Sequence, residues 1–542
     1  MARIADITAQ TLYAHGVRHA FGMPGGEVVT LIDALEKAGI RFVLCRHETA
    51  AAIMAAGASS VTGAPGLLVT TLGPGLTNAV NGIADASQEH VPLIVMSGVV
   101  EHGIRGRYTH QIIDQTALMQ PLVKASFEIE EPGAAGTMAR ALRLATRAPM
   151  GPVFVQLSPD TAAKAAPSQD EAIAPPKAFS AGADTDSEAV TEVAKLLQTA
   201  KRPLILAGLE AARDKAGDAV LRLMERCGFP LITTYKAKGL VDETHPLALG
   251  GAGLSPLADQ ELLPLVKAAD LVLLAGYDPI EMRAGWLDPF AGDAAIIEIT
   301  ACPPDHGMHG ATMLVETPPR AFLDALTKAL DHDAGHAGKV WQDGEPLAVR
   351  ERLDALFTPP SGWGPHHVFD VLQNALADDA LITVDSGAHR ILLSQQLKIR
   401  RPFGLMQSAG FCTMGAAVPL AAGAKIAQGG RPVVAVLGDG GLEMGLGELA
   451  TLRDENAPIV IVALQDESLA LIELKQAQAE LERKGVRLGK TKFEDIAPTF
   501  GGRGCRVKTR TAFEAALSTA LSSGEFSIIV CEIQVSDYAG KF

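Results

Sequence analysis

Two apolar runs near the C-terminus, Pro432–Leu437 and Pro458–Leu464, each lead into an acid. Asp439 stands in Gly438-Asp439-Gly440-Gly441 and Asp466 in Gln465-Asp466-Glu467-Ser468. The acids are 27 positions apart, which fits one strand–helix–strand unit of roughly 30 residues. Leu442–Asn456, between them, has the leucine and charge spacing of a helix. Parallel strands joined this way carry both acids at their carboxyl ends, where open α/β sheets bind ligands. On neighbouring strands, roughly 5 Å apart, the two carboxylates would repel each other unless a cation lay between them. Oxygen ligands, a Gly-rich turn and few soft donors point to magnesium, which keeps positions open for phosphate oxygens. Two unrelated surface acids would leave the same trace, so the rest of the chain decides.

A third acid has a similar setting. Arg46-His47-Glu48 ends the strand-like run Ile40–Cys45 and the helical stretch Thr49–Ser60 follows at once. Helix amides and the helix dipole favour a carboxylate there; a lone Glu in that place is more often a plain helix cap. Thr71-Leu72-Gly73-Pro74-Gly75-Leu76-Thr77-Asn78 then follows the run Gly66–Thr71 and opens another helix. Its glycines permit a tight turn and close approach of backbone to a ligand, or a structural turn alone.

The elements that must position these groups fall into three α/β blocks. The first, 1–160, includes the strand-like runs Ile40–Cys45, Gly66–Thr71 and Val91–Ser97. The second, 187–335, includes Pro203–Ala207, Pro230–Thr234, Leu271–Ala275 and Ala295–Ile299. The third, 366–542, includes Leu381–Val384, Pro432–Leu437, Pro458–Leu464 and Ser527–Ile533. β-Branched runs alternating with Ala-rich helical stretches predict doubly wound parallel sheets. Thr161–Asp186 and Ala334–Pro365, polar and broken by Pro or Gly, read as linkers. No GxGxxG follows a strand, so a dinucleotide fold is not favoured. The chain of 542 residues carries a formal charge of −15, which argues against a nucleic-acid or anionic-membrane partner. Its six cysteines show no CxxC pair, and no stretch approaches the roughly 18 uncharged apolar residues of a membrane span. Without a signal-peptide h-region at Met1–Gln10, a reducing, cytoplasmic setting with unpaired thiols is expected.

Several motifs occur in an order that is informative as a set: Phe21-Gly22-Met23-Pro24-Gly25-Gly26, Arg46-His47-Glu48, Thr71-Leu72-Gly73-Pro74-Gly75, Asp385-Ser386-Gly387-Ala388-His389, Thr413-Met414-Gly415 and the Asp439…Asp466 pair. With them the chain resembles the thiamine-diphosphate-dependent superfamily of acetohydroxyacid synthases and 2-keto acid decarboxylases. It is most similar to acetolactate synthases of the catabolic, FAD-independent branch, as His110-Gln111-Ile112-Ile113-Asp114, Gly276-Tyr277-Asp278-Pro279-Ile280-Glu281 and Leu471-Ile472-Glu473-Leu474-Lys475-Gln476 also indicate.

The resemblance implies a pyrimidine-binding first block, a central block without cofactor and a diphosphate-binding third block. Thiamine diphosphate would lie between the first block of one subunit and the third of another, so a homodimer at least, commonly a homotetramer, is implied. Glu48 would hydrogen-bond the aminopyrimidine ring and activate the cofactor. Met414 would prop the cofactor in its folded shape. Asp439, Asp466 and the Ser468 carbonyl would hold Mg²⁺. Gly387, Ala388, His389, Gly440 and Gly441 would surround the diphosphate, with Gly25, Gly26 and Cys412 near the pyrimidine side. Gln111 would orient a substrate. FAD is not expected. The implied activity decarboxylates a 2-keto acid, pyruvate foremost, and joins the fragment to a second carbonyl, giving an acyloin such as 2-acetolactate.

Four positions depart from that pattern. Asp466 stands where Asn is usual, Cys412 where a small residue is usual, Glu27 where Ala is frequent and Leu474 where Trp is common. A carboxylate at Glu27 would either steer substrate charge or cap the helix Val28–Ala38. These departures keep open a simple decarboxylase, a C–C lyase or an acetyltransferase on another 2-keto or 2-hydroxycarbonyl compound. A non-catalytic binding protein is less compatible with Glu48, because binding alone does not need its carboxylate.

Overall fold

The computed structural model describes residues 2–168, 170–176, 187–302, 307–331 and 340–541. Three six-stranded, all-parallel sheets account for the three blocks. The first holds β1 (His19–Gly22), β2 (Arg41–Leu44), β3 (Gly66–Thr70), β4 (Leu93–Gly98), β5 (Ser126–Glu128) and β6 (Val153–Leu157), in the order β2-β1-β3-β4-β6-β5. The second holds β7 (Pro203–Ala207), β8 (Leu231–Thr233), β9 (Ala248–Gly251), β10 (Leu271–Ala275), β11 (Ala295–Thr300) and β12 (Met313–Glu316), in the order β12-β11-β10-β7-β8-β9. The third holds β13 (Leu381–Val384), β14 (Leu405–Gln407), β15 (Val433–Gly438), β16 (Val460–Gln465), β17 (Arg503–Val507) and β18 (Ser527–Glu532), in the order β14-β13-β15-β16-β18-β17. The first and third sheets thus share one topology. Both have their switch point between their first and third strands, where ligands bind beyond the carboxyl ends.

The apolar runs become strands because helices cover both faces of each sheet. β3, β4, β10 and β16 are buried at every residue, so unbroken Val/Ile/Leu runs suit them better than alternation. In the central sheet the switch point between β7 and β10 is filled by backbone. A Cβ added at Gly208 would lie 2.4 Å from the Gly276 carbonyl oxygen.

The first and third blocks are locked by two Ala-rich helices, Glu48–Thr62 and Ala417–Ala427. Gly57 lies against the Leu420 carbonyl and Gly423 against the Met54 carbonyl, where added Cβ atoms would come within 2.4 and 1.9 Å. Small side chains let the two helices meet backbone to backbone, which explains the Ala-rich composition on every face. The central block joins the third through the buried Lys238–Glu243 pair (2.8 Å), whose carboxylate also accepts from the Ile399 amide at 2.8 Å.

Three local expectations are corrected. Leu442–Asn456 is not one helix: Gly445 and Gly447 divide it, leaving Asp439–Met444 and Glu448–Asp454. Within the expected linker Ala334–Pro365, Glu345–Leu356 is a helix that buries Val349 and Leu353; residues 334–339 lie outside the described residues. The segment after Thr161 packs on the first block, with Asp170 accepting from the Ala134 amide at 3.0 Å; residues 169 and 177–186 lie outside the described residues.

Candidate active site

β15 and β16 are paired neighbours, with Gly438 opposite Leu464, so Asp439 and Asp466 leave adjacent strand ends. Asp439 Oδ2 accepts from the Glu467 amide at 2.8 Å and Oδ1 from the Gly440 amide at 2.9 Å. Asp466 Oδ1 accepts from the Ser468 amide at 3.0 Å. Burial pushes the Asp439 carboxyl up to about 6. Burial and then the nearby Asp439 push Asp466 up to about 8. Both shifts say that charge is crowded into a poorly solvated place with too little positive compensation. The Ser468 hydroxyl donates to Glu473, and among the described residues no backbone amide donates to the Ser468 carbonyl. Two acids and an open carbonyl are a hard-oxygen set that suits Mg²⁺, the remaining positions falling to phosphate and water. The described residues contain no cluster of three or more His, Cys, Asp or Glu ligands, so this set requires such outside oxygens to be complete.

Beside it, His389 is buried at the start of the helix Ala388–Gln396. Burial and then Arg390 pull its pKa down to about 4, and its Nε2 has no hydrogen-bond partner among the described residues. An orphaned buried nitrogen between Gly387 and Gly438 suits a polar group of a ligand. Met414 reaches the same place: a Cβ at Gly440 would lie 3.9 Å from its Cε. The turn carrying Met414 is held by Asp385, whose carboxylate accepts from the Gly415 and Ala416 amides at 2.9 Å each. Gly441 packs so closely that a Cβ would stand 2.0 Å from Asp385 Oδ2. Cys412 is exposed, at φ +59°, with Sγ 3.3 Å from Arg390 Nη2.

The first sheet presents a second group at its own switch point. Glu48 is buried at the first turn of its helix and accepts from Asn78 Nδ2 at 3.0 Å. Gly25 lies against Thr71, with no room for a Cβ (2.3 Å from Oγ1), while Gly26 faces open space. Gln111 is exposed at φ +58°; its carbonyl abuts Gly73, and it lines a cleft with Leu72, Arg105 and Gln156. Glu27 does not cap the following helix: its Oε2 accepts from the Thr71 hydroxyl at 2.5 Å. Leu474 is half-buried and packs on the core of the third block.

The chain therefore gathers Gly387, His389, Met414, Gly440, Gly441, Asp439, Asp466 and Ser468 around one sheet edge, and Gly25, Glu48 and Gln111 around another. Among the described residues no hydrogen bond joins Glu48 to the Asp439 group. The blocks are tied instead through Glu448, which accepts from the Arg46 and His47 amides at 3.0 Å each. They are also tied through a buried network in which Glu89 accepts from the Ala409 and Gly410 amides at 2.8 and 2.6 Å and Ser408 donates to Asp85. Sequence reasoning missed the supporting residues Asn78, Asp385, Glu448 and Asp85. Asn78 and Asp385 lie inside motifs already singled out; Glu448 and Asp85 leave no local signal, because their partners are hundreds of residues away.

Descriptions of the thiamine pyrophosphate (thiamine diphosphate) enzymes match this chain in order: the N-terminal TPP binding domain over residues 2–118, the central domain over 190–326 and the C-terminal TPP binding domain over 385–531. With this fold and these two sheet edges, the chain belongs to the thiamine pyrophosphate enzyme family. Within it, the similarity runs to acetolactate synthases over nearly the whole length. The chain is 30% identical over 546 residues to acetolactate synthase of Bacillus subtilis (strain 168), covering 99% of this chain and 94% of that protein. It is 28% identical to the catabolic acetolactate synthase of Raoultella terrigena, covering 98% and 95%, and 28% identical to the isozyme 1 large subunit of Escherichia coli (strain K12), covering 96% and 92%. It is an acetolactate synthase-like, thiamine-diphosphate-dependent enzyme of the carboligase type.

Proposed function

We propose that this enzyme uses Mg²⁺ and thiamine diphosphate to decarboxylate a 2-keto acid, pyruvate foremost, and to join the remaining acyl fragment to a second carbonyl compound. The bond between C1 and C2 of the keto acid breaks and CO₂ leaves. The electron pair left behind forms the new bond to the acceptor carbonyl carbon, whose oxygen takes up a proton. With pyruvate as acceptor the product is 2-acetolactate. Thiamine diphosphate supplies the electron sink for this exchange.

The observation that carries the reading is the pair of acids at adjacent strand ends, Asp439 buried and Asp466 half-buried, beside the orphaned His389 nitrogen. Asp439, Asp466 and the Ser468 carbonyl hold Mg²⁺. Gly387, Ala388, His389, Gly440 and Gly441 make room for and contact the diphosphate, and Met414 supports the folded cofactor. From a second copy, Glu48 meets the aminopyrimidine and exchanges a proton with its ring nitrogen, with Gly25, Gly26 and Cys412 lining that side and Gln111 orienting a substrate. A homodimer at least, and a homotetramer by pairing of dimers, belong to the same reading. Exposed apolar side chains at Ile112, Ile113, Phe411 and Met444 support the same arrangement. The domain limits 1–160, 187–335 and 366–542 and a cytoplasmic setting belong to the same reading. It is supported by six unpaired thiols and by the lack, among the described residues, of a helix long and apolar enough to cross a membrane.

The test is incubation with Mg²⁺, thiamine diphosphate and a panel of 2-keto acids, with products identified by mass spectrometry. CO₂ and an acyloin that both depend on the cofactor are expected. Absence of either from every keto acid would overturn the reading.

A further inference from the structure

Glu27 stands in the short turn Gly26–Val28 that leaves β1, and the helix Val29–Lys37 behind it receives no side-chain cap at Val28. Its carboxylate turns instead toward β3, the neighbour of β1 across the switch point, and takes the Thr71 hydroxyl at 2.5 Å. The stem is pinned in place: a Cβ at Gly98 would lie 2.6 Å from Glu27 Cβ, and one at Gly25 would lie 3.2 Å from Glu27 Oε2. On its other side Thr71 points its methyl at Gly75, where a Cβ would be 2.7 Å from that methyl and 3.4 Å from Glu48 Oε1. Glu27, Thr71 and Glu48 therefore border one small region of the crevice, with an acid on either side of the threonine. Among the described residues Glu27 has no ion-pair partner, and the Thr71 bond is its one side-chain hydrogen bond.

We propose that Glu27 sets the class of the second substrate: an uncharged carbonyl compound bearing a hydroxyl next to its carbonyl, in preference to a second 2-keto acid. This rests on the carboligase reading above and narrows it. An ionised carboxylate accepts hydrogen bonds and donates none, so the free Oε1 rewards a hydroxyl donor. The same fixed charge repels an acceptor that must keep its own carboxylate, and exclusion of water strengthens the repulsion. The donor differs from the acceptor here, because its carboxylate leaves as CO₂ before the acceptor is joined. A site built to hydrogen-bond a substrate hydroxyl also rejects the analogue that lacks it.

The experiment uses the full-length holoenzyme with pyruvate as donor and glycolaldehyde and pyruvate as competing acceptors. Donor turnover is followed separately as CO₂ release. Wild type favours glycolaldehyde. Glu27→Gln, which keeps the shape and an acceptor for Thr71, shifts the ratio of kcat/KM toward pyruvate by roughly tenfold or more, and Glu27→Ala shifts it the same way. Wild type that favours pyruvate, or an unchanged acceptor ratio in both variants with CO₂ release intact, would overturn the role of Glu27. Loss of CO₂ release in wild type itself would instead strike the carboligase reading on which it rests.

Discussion

Asn78 donates a 3.0 Å hydrogen bond to the buried carboxylate of Glu48, joining the N-terminal parts of the two helices that follow strands β2 and β3. The bond depends on the sheet order, which places β1 between those two strands. It fixes where the Glu48 oxygens point. Asn78→Ala should leave the fold intact and lower kcat by roughly tenfold, the lower part of the range for misplaced catalytic groups. Steady-state kinetics beside a thermal melt test this. A fall in melting temperature with full activity would show that Asn78 only stabilises the turn.

Asp439→Ala should weaken the metal and the cofactor together. One of two acids is lost, and the amides of Gly440 and Glu467 that it now receives lose their acceptor. Affinity for thiamine diphosphate in the presence of Mg²⁺ should fall at least about 10²-fold, beyond the usual effect of an outer-shell change. Fluorescence titration with and without Mg²⁺ is the measurement. Tight cofactor binding that ignores the metal would contradict the assignment.

Gly441→Ala tests the packing behind Met414. The new Cβ would meet Asp385 Oδ2 at 2.0 Å, and Asp385 is fixed by the two amides of the Met414 turn. Overpacking of this kind costs about 1–3 kcal/mol. A lower denaturation midpoint together with weaker cofactor binding is expected. Unchanged values of both would show that the turn moves freely.

Asp85 gives the pH dependence. Burial and then Glu89 push its carboxyl up to about 7 from an ordinary 3.8, with Ser408, Thr413 and Lys236 acting the other way. Between about pH 4 and 7 the folded protein keeps a proton that the unfolded chain releases, so this site's contribution to stability falls as pH rises through that window. Asp85→Asn removes the titration. The melting temperature of wild type relative to the variant should therefore decline by roughly a few degrees from pH 4.5 to 7.5. A constant difference across that range would rule out the shift.

Long apolar runs between Gly and Pro made the core strands legible. β7, β10 and β13 lie within the residues expected from sequence, and β15 and β16 start only one or two residues later. Of the runs that were missed, His19–Gly22 and Val153–Leu157 lie inside the first sheet, while Ser126–Glu128, Arg503–Val507 and Met313–Glu316 form edge strands in the three sheets. These edge strands are short and only partly buried, so no continuous hydrophobic signal marks them. The break at Gly445 and Gly447 was visible as residues but not as consequence, because leucine spacing alone continues through it. The Asp439–Asp466 pairing could be read from one strand–helix–strand unit. The Thr71–Glu27 bond could not, since it depends on β1 and β3 being neighbours across a switch point. The shared strand order of the first and third sheets likewise has no trace in local sequence.

Glu48→Gln tests the account most directly. The substitution keeps the shape and an oxygen for Asn78, but it removes the carboxylate that exchanges a proton with the cofactor's ring. With saturating Mg²⁺ and thiamine diphosphate, kcat for CO₂ release from pyruvate should fall at least roughly 10²-fold, the scale of general acid–base effects, while cofactor affinity and melting temperature stay close to wild type. Near-normal turnover in that variant would contradict the assignment of Glu48 and with it the proposed active site.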